Sequence, residues 1–176
     1  MSQRSALDPC DDAAAPPANP ADLPLEQQLS YRLHLLNKLS DAASAEAYLR
    51  ECELPLSEGR CLAAAGAFAP LSVVELGQRA NLDKGQASRA AQALVERDLI
   101  RKTASATDGR GVVLTLTETG QAMHQRVMAL IRRRNEEIFG CLSAPERQQL
   151  GALLERLLGH ARTSCAGKKK APGSGA

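Results

Sequence analysis

After Asp98 the apolar residues stop recurring with a helical period and begin to alternate. A switch of period from 3.6 to 2 marks the passage from helix to strand, and no other feature constrains this chain as tightly. Two short apolar-periodic runs precede it, and each opens on a capping signature, Ser72-Val-Val-Glu75 and Asp83-Lys-Gly-Gln86. In such a box the first side chain accepts the amide three residues on, while the Glu or Gln reaches back to the first amide. The spacing predicts helices over residues 73–80 and 84–97, joined by a turn at Asn81-Leu82. Downstream, residues 99–103 and 112–116 read as strands, with Val112, Leu114 and Leu116 on one face. The polar stretch 105–111 between them holds two glycines, which predicts a hairpin with more than a tight turn. Two helices, a turn and a hairpin predict a mainly α fold with a small β-hairpin, a winged helix-turn-helix.

Longer helices flank this lobe. Leu25, Leu29, Leu33, Leu36 and Leu39 recur at helical spacing and predict a helix over 25–49, with a second starting near Ser57 and stopping before Pro70. Thr117 caps a long helix to about Phe139, where Gly140 stops it. Ser143-Ala-Pro-Glu146 repeats the capping signature and opens a last helix over 144–162. Aromatic residues make up 2% of the chain and there is no Trp, so the core must be built from Leu, Ala, Val and Ile. Pro16, Pro17, Pro20 and Pro24 predict a disordered arm over 1–24, and the lysine-containing end predicts a flexible basic tail over 164–176. The ordered domain is expected over 25–163, with a DNA lobe at about 57–116 and dimerisation helices at about 25–50 and 117–163. These flanking helices carry more leucine than one small domain can cover, which predicts a homodimer. There is no apolar run of membrane-spanning length and no signal-peptide pattern at the start, so a cytoplasmic protein without a membrane partner is expected.

Charge is unevenly placed. In residues 1–24 Arg4 stands against Asp8, Asp11, Asp12 and Asp22. In residues 79–110 Arg79, Lys84, Arg89, Arg97, Arg101, Lys102 and Arg110 outnumber Asp83, Glu96, Asp98 and Asp108. A basic excess on one contiguous stretch suits a polyanion. The second helix of a helix-turn-helix presents its first residues to base edges in the major groove. Here these include Lys84, Gln86, Ser88 and Arg89, with Gly85 and Ala87 small enough to allow approach. Gln86 can pair with adenine and Arg89 with guanine, and Ser88 can reach a base or a phosphate. Capping by Gln86 competes with a base contact. Arg101 joins this set from the hairpin. Arg110 at the hairpin tip can enter the minor groove, with Asp108 orienting it.

Asp-Lys-Gly-Gln-Ala-Ser-Arg-Ala (83–90), Leu-Val-Glu-Arg-Asp-Leu-Ile-Arg (94–101), Asp-Gly-Arg (108–110) and Leu-Thr-Leu-Thr-Glu-Thr-Gly (114–120) resemble the MarR family of bacterial transcription regulators. The likeness covers roughly residues 27–162. Asp98 departs from the glycine often found there, but Asp tolerates the left-handed conformation. The resemblance implies a homodimeric repressor on a pseudo-palindromic double-stranded DNA operator, released by a small anionic or aromatic molecule, with no cofactor. In that family the effector pocket lies between the first two helices, the long helix and the DNA lobe, which implies Tyr31, His34, Asn37, Arg60 and His124 as candidate ligand contacts. Arg60 can pair with a carboxylate. The run 29–40 resembles the branch that controls nicotinate degradation, which implies an aromatic carboxylate such as a hydroxynicotinate.

Two other functions fit parts of the sequence. Cys10, Cys52, Cys61, Cys141 and Cys165 are an odd number without a C-x-x-C pair, so neither a disulfide framework nor a zinc site is expected. One of these thiols could make the same DNA lobe a redox sensor, which needs a lowered pKa and exposure. A winged domain can also serve protein association alone. An enzyme is not expected: His34, His124 and His160 are widely spread, and there is no nucleophile motif, carboxylate pair or phosphate-binding glycine loop. No metal ligands are assigned.

Overall fold

The computed structural model describes residues 23–104 and 112–168, with side chains as far as residue 164. In chain order the elements are a 3-10 turn (Leu25–Gln27), α1 (Leu29–Cys52), α2 (Leu56–Phe68), α3 (Val73–Ala80), α4 (Lys84–Glu96), β1 (Ile100–Ala104), β2 (Val112–Leu116), α5 (Glu118–Phe139) and α6 (Ala144–Lys168). The described residues divide after Ser40 into two units.

In the first unit the helix expected from residue 25 begins at Leu29. Pro24 opens the 3-10 turn instead, and the Gln28 side chain donates to the Leu23 carbonyl at 2.8 Å. Leu29, Leu33, Leu36 and Leu39 are all exposed in the isolated chain.

The second unit packs α2 against α3, α4 and α5. Leu54, Leu62, Leu76, Leu94, Ile100, Leu114 and Leu130 are fully buried there, with Val127, Cys52 and Cys61. Each such aliphatic side chain contributes about 1.5–3 kcal/mol by leaving water. Two of the expected capping boxes are complete. The Glu75 amide donates to Ser72 Oγ at 3.2 Å while Ser72 N–H donates to the Glu75 carboxylate at 2.9 Å. The Gln86 amide donates to Asp83 Oδ1 at 2.8 Å, and Asp83 N–H donates to Gln86 Oε1 at 3.4 Å. At the start of α6 the Glu146 carboxylate accepts from both the amide and the hydroxyl of Ser143, each at 2.7 Å. The α3–α4 turn closes through Asn81 in the left-handed region (φ 54°), and Asp98 takes the same conformation (φ 54°) after α4.

β1 and β2 pair antiparallel, with Ile100 opposite Leu116 and Lys102 opposite Leu114. Leu71 adds a short third rung by exchanging backbone bonds with Leu114 (2.7 and 3.3 Å). Leu114 is buried and Leu116 half-buried, as the alternation predicts, whereas Val112 at the strand end is exposed. Thr117 then starts α5: its hydroxyl accepts from Gly120 N–H at 2.9 Å and donates to the Asp98 carbonyl at 2.6 Å.

Three helix ends differ from the sequence expectation. α1 runs past residue 49 to Cys52, ending at Glu53 in the left-handed region (φ 55°). α4 stops at Glu96, with Arg97 as its C-cap. α6 continues beyond residue 162 to Lys168, into the stretch expected as tail. Gly159 does not interrupt it: a mid-helix glycine costs only about 1 kcal/mol relative to Ala, and no proline intervenes. No helix among the described residues is long and apolar enough to cross a membrane.

Candidate functional site

The start of α4 presents one face outward. Ala87, Ala90, Ala91 and Leu94 are buried against the lobe, and this helical spacing turns Lys84, Gln86, Ser88 and Arg89 to solvent. Gly85 leaves room for the Arg89 guanidinium, which folds back to within 3.4 Å of where a Cβ on Gly85 would lie. Gln86 Oε1 is engaged by the cap, so only its amide nitrogen is left as a donor. The four expected α4 residues therefore all lie on the solvent side of the helix start.

The hairpin divides its cations between two faces, as alternate strand residues must. Lys102 reaches α4, donating to Gln92 Oε1 at 2.9 Å, and Gln92 in turn donates to Glu96 at 2.9 Å. Arg101 lies on the other side. It donates to Thr115 Oγ1 at 3.3 Å and lines an open cleft of about 500 Å³ with Gly66, Gln121, His124 and Gln125. The His124 ring packs on Gly66, where a Cβ would overlap it, and its buried Nε2 has no partner among the described residues. Asp108 and Arg110 lie outside the described residues.

A second cavity, of about 290 Å³, is lined by Tyr48, Arg60, Ala63, Ala64, Ala67, Phe68, Arg79, Ala80, Asn81, Met128 and Ile131. Small α2 residues make its floor, and α3 and α5 make its walls. Burial pushes the Tyr48 hydroxyl up to about 12, against the opposing pull of the Arg60 cation, so it stays a neutral donor. Gly59 admits its ring, since a Cβ there would overlap it. The Arg60 guanidinium pairs with Asp41. The Arg79 guanidinium lies over the Phe68 ring, 4.6 Å from its centroid. An apolar cavity with a few polar groups at its edge is the form small-molecule sites take.

Within the second unit, the two expected ligand contacts fall at different openings. Arg60 lines this cavity, and His124 lines the other cleft. Tyr31, His34 and Asn37 are exposed on α1 in the first unit. Sequence reasoning missed Tyr48, Phe68, Arg79, Met128 and Ile131, which come from four helices and share no local motif. It also missed Arg97, whose guanidinium donates to the Glu53 carbonyl at 2.8 Å and meets Glu58 at 3.3 Å, clamping the end of α4 to the α1–α2 junction.

Two of the described thiols do not have the character of sensors. Cys52 and Cys61 are buried, and burial raises both, Cys61 to about 11. A reactive thiol needs the opposite shift. Cys141 is exposed.

Comparison with known proteins places this architecture. A sequence profile described as MarR family matches residues 53–111. The HTH-type transcriptional repressor Rv2887 of Mycobacterium tuberculosis is 28% identical over 104 residues, 59% of this chain and 75% of the repressor. Its crystal structure in complex with salicylic acid aligns with a TM-score of 0.61 at 26% identity, covering 73% of this chain and 95% of that one. A mutant MarR from E. coli complexed with operator DNA aligns with a TM-score of 0.64 at 26% identity, covering 74% of this chain and 93% of that one.

Proposed function

Because the chain belongs to the MarR family of transcription regulators, we propose that it is a homodimeric repressor which grips a pseudo-palindromic operator and lets go when an aromatic carboxylate enters the cavity bounded by α2, α3 and α5. The observation that carries the DNA part is the solvent side of the α4 start, where buried Ala87 and Ala90 leave Lys84, Gln86, Ser88 and Arg89 exposed. Lys84 and Ser88 meet phosphate or base, and Arg89 meets guanine. Gln86 donates through its free amide nitrogen while its oxygen holds the cap. Arg101 contributes from the hairpin, and Asp108 and Arg110, from the sequence between its strands, complete the set, the Arg reaching the minor groove.

The dimer reading rests on leucine. Leu29, Leu33, Leu36 and Leu39 on α1, and Leu153, Leu154, Leu157 and Leu158 on α6, are exposed in one chain. Apolar rows of this length mark association surfaces. A twofold pair then sets two α4 helices about one DNA turn apart, roughly 34 Å.

The effector reading rests on the cavity's chemistry, with cations and the neutral Tyr48 hydroxyl at the edge of an apolar space. The related mycobacterial repressor with salicylic acid bound supports the same ligand class. A hydroxynicotinate belongs to that class too.

Selection from random duplexes by the full-length chain tests this function. The expected product is a two-half-site sequence, bound less tightly when salicylate or hydroxynicotinate is added and when Arg89 is changed to Ala. Recovery of no preferred sequence, at any salt concentration, refutes it.

A further inference from the structure

Two guanidinium groups line the cavity bounded by α2, α3 and α5, and they differ in electrostatic state. Arg60 is already matched by the Asp41 carboxylate. Arg79 makes no salt bridge among the described residues, and one face of its guanidinium is occupied by the Phe68 ring. We propose that Arg79, not Arg60, captures the anionic group of an incoming aromatic carboxylate, and that this capture ties occupancy of the cavity to helix α3. The inference deepens the effector reading above and rests on it.

An anion arriving at Arg60 must first displace Asp41, exchanging one charge-assisted pair for another. At Arg79 no carboxylate lies within salt-bridge distance among the described residues, and Glu75, one turn earlier on α3, is already held by Ser72 and interacts with Arg79 only through space, so a bidentate pair there displaces no direct partner. Phe68 restricts the plane of that fork and so reduces the freedom lost on binding. The same part of the cavity offers apolar surface from Ala67 and Met128 to an aromatic ring.

The position also links ligand to DNA contact. α3 and α4 meet closely: a Cβ on Gly77 would lie 3.0 Å from the Ala87 methyl, and the Leu82 amide bonds the Gly77 carbonyl at 2.9 Å. With no slack between the helices, a shift of α3 passes to the start of α4, which carries Lys84 and Ser88. Differential binding to two placements of α3 is what a ligand needs to change DNA affinity.

Calorimetric titration of the full chain with salicylate and with hydroxynicotinate, each paired with its neutral amide, tests the inference. The wild type is expected to prefer at least one acid over its amide by about tenfold, the scale of one charge-assisted contact. Arg79→Gln is expected to bind acid and amide equally, and Arg79→Lys to keep part of the preference. The double variant Arg60→Gln/Asp41→Asn, which removes the matched pair together, is expected to keep all of it. Amide exchange over α3 is expected to slow on acid binding in the wild type and not in Arg79→Gln. An undiminished acid preference in Arg79→Gln and Arg79→Lys overturns the inference and leaves the effector reading standing, as does loss of the preference in the double variant. Equal affinity for acid and amide in the wild type also overturns it. If neither acid binds the wild type, the effector reading falls as well.

Discussion

Gly120 lies so close to the Leu99 carbonyl that a methyl group on it would overlap the oxygen. The same carbonyl accepts the Thr117 amide at 3.2 Å, and Thr117 caps α5 through the Gly120 amide. The Leu-Thr-x-x-Gly segment thus fixes the long helix to the base of the hairpin by contacts that only glycine permits at its last position. Gly120→Ala is expected to lower stability by about 1–3 kcal/mol, the range for forcing atoms into a packed site. Denaturant unfolding measures it. An unchanged midpoint contradicts this packing.

On the DNA face, Lys84→Ala is expected to weaken binding to all duplexes alike and to reduce the dependence of log K on log salt by about one unit, as for one lost phosphate contact. Arg89→Ala is expected to relax sequence preference as well. Anisotropy titrations over a salt series with several duplexes separate the two effects. The same slope for Lys84→Ala as for the wild type removes Lys84 from the interface.

Acid is expected to loosen the helix starts and the α1–α5 tie. The Glu51 carboxyl is held below its ordinary value chiefly by the Arg133 guanidinium, and Glu75 and Glu146 by hydrogen bonds from Ser72 and Ser143. Lowered carboxylates add stability above the ordinary glutamate value, about 4.3, and that stability is lost as pH falls through their folded values. Melting temperature should therefore drop on the acid side of about pH 4, and less steeply in Glu51→Gln. A parallel pH profile for Glu51→Gln shows that the Arg133 pair adds nothing.

The raised thiols give a kinetic signature. With Cys10→Ser and Cys165→Ser in place, a disulfide reagent at neutral pH is expected to modify Cys141 quickly, and Cys52 and Cys61 only at the rate of unfolding. For Cys61 the raised folded value, about 11, also means that its contribution to stability is complete below the ordinary thiol value and is lost as pH rises towards 11. Labelling of Cys52 and Cys61 as rapid as that of Cys141 in the folded protein contradicts their burial.

The DNA lobe was legible in the sequence because its signals are local. Ser72 with Glu75, and Asp83 with Gln86, announce helices within four residues, and the change of period after Asp98 announces the hairpin. The left-handed Asp98 was expected from the resemblance, in which glycine often stands at that place, together with the tolerance of Asp for that conformation. The cavity was not legible, because Tyr48, Arg60, Arg79 and Met128 meet only after four helices have packed. Arg60 was picked out as a cation able to take a carboxylate, yet nothing in its neighbourhood reveals that Asp41, nineteen positions away, has already paired with it. Nor does the sequence near His124 reveal that its ring rests on Gly66 in the cleft beside Arg101. The end of α6 was missed because neither a proline nor a strong stop signal precedes Lys168.

The leucines of α6 provide a last prediction. Leu157→Glu is expected to place a charge in the paired surface and shift the protein to monomers, seen as a halved mass in light scattering. Retention of dimer mass at micromolar concentration would exclude α6 from that surface.

Those exposed leucines have a further consequence. If they are shielded only by a second chain, the amount of grip-competent protein in dilute conditions rises with the square of the number of chains, and folding stability rises with concentration too. Doubling the gene dose then more than doubles the occupancy of a weak operator, so a regulator built this way meters its own abundance as well as its ligand.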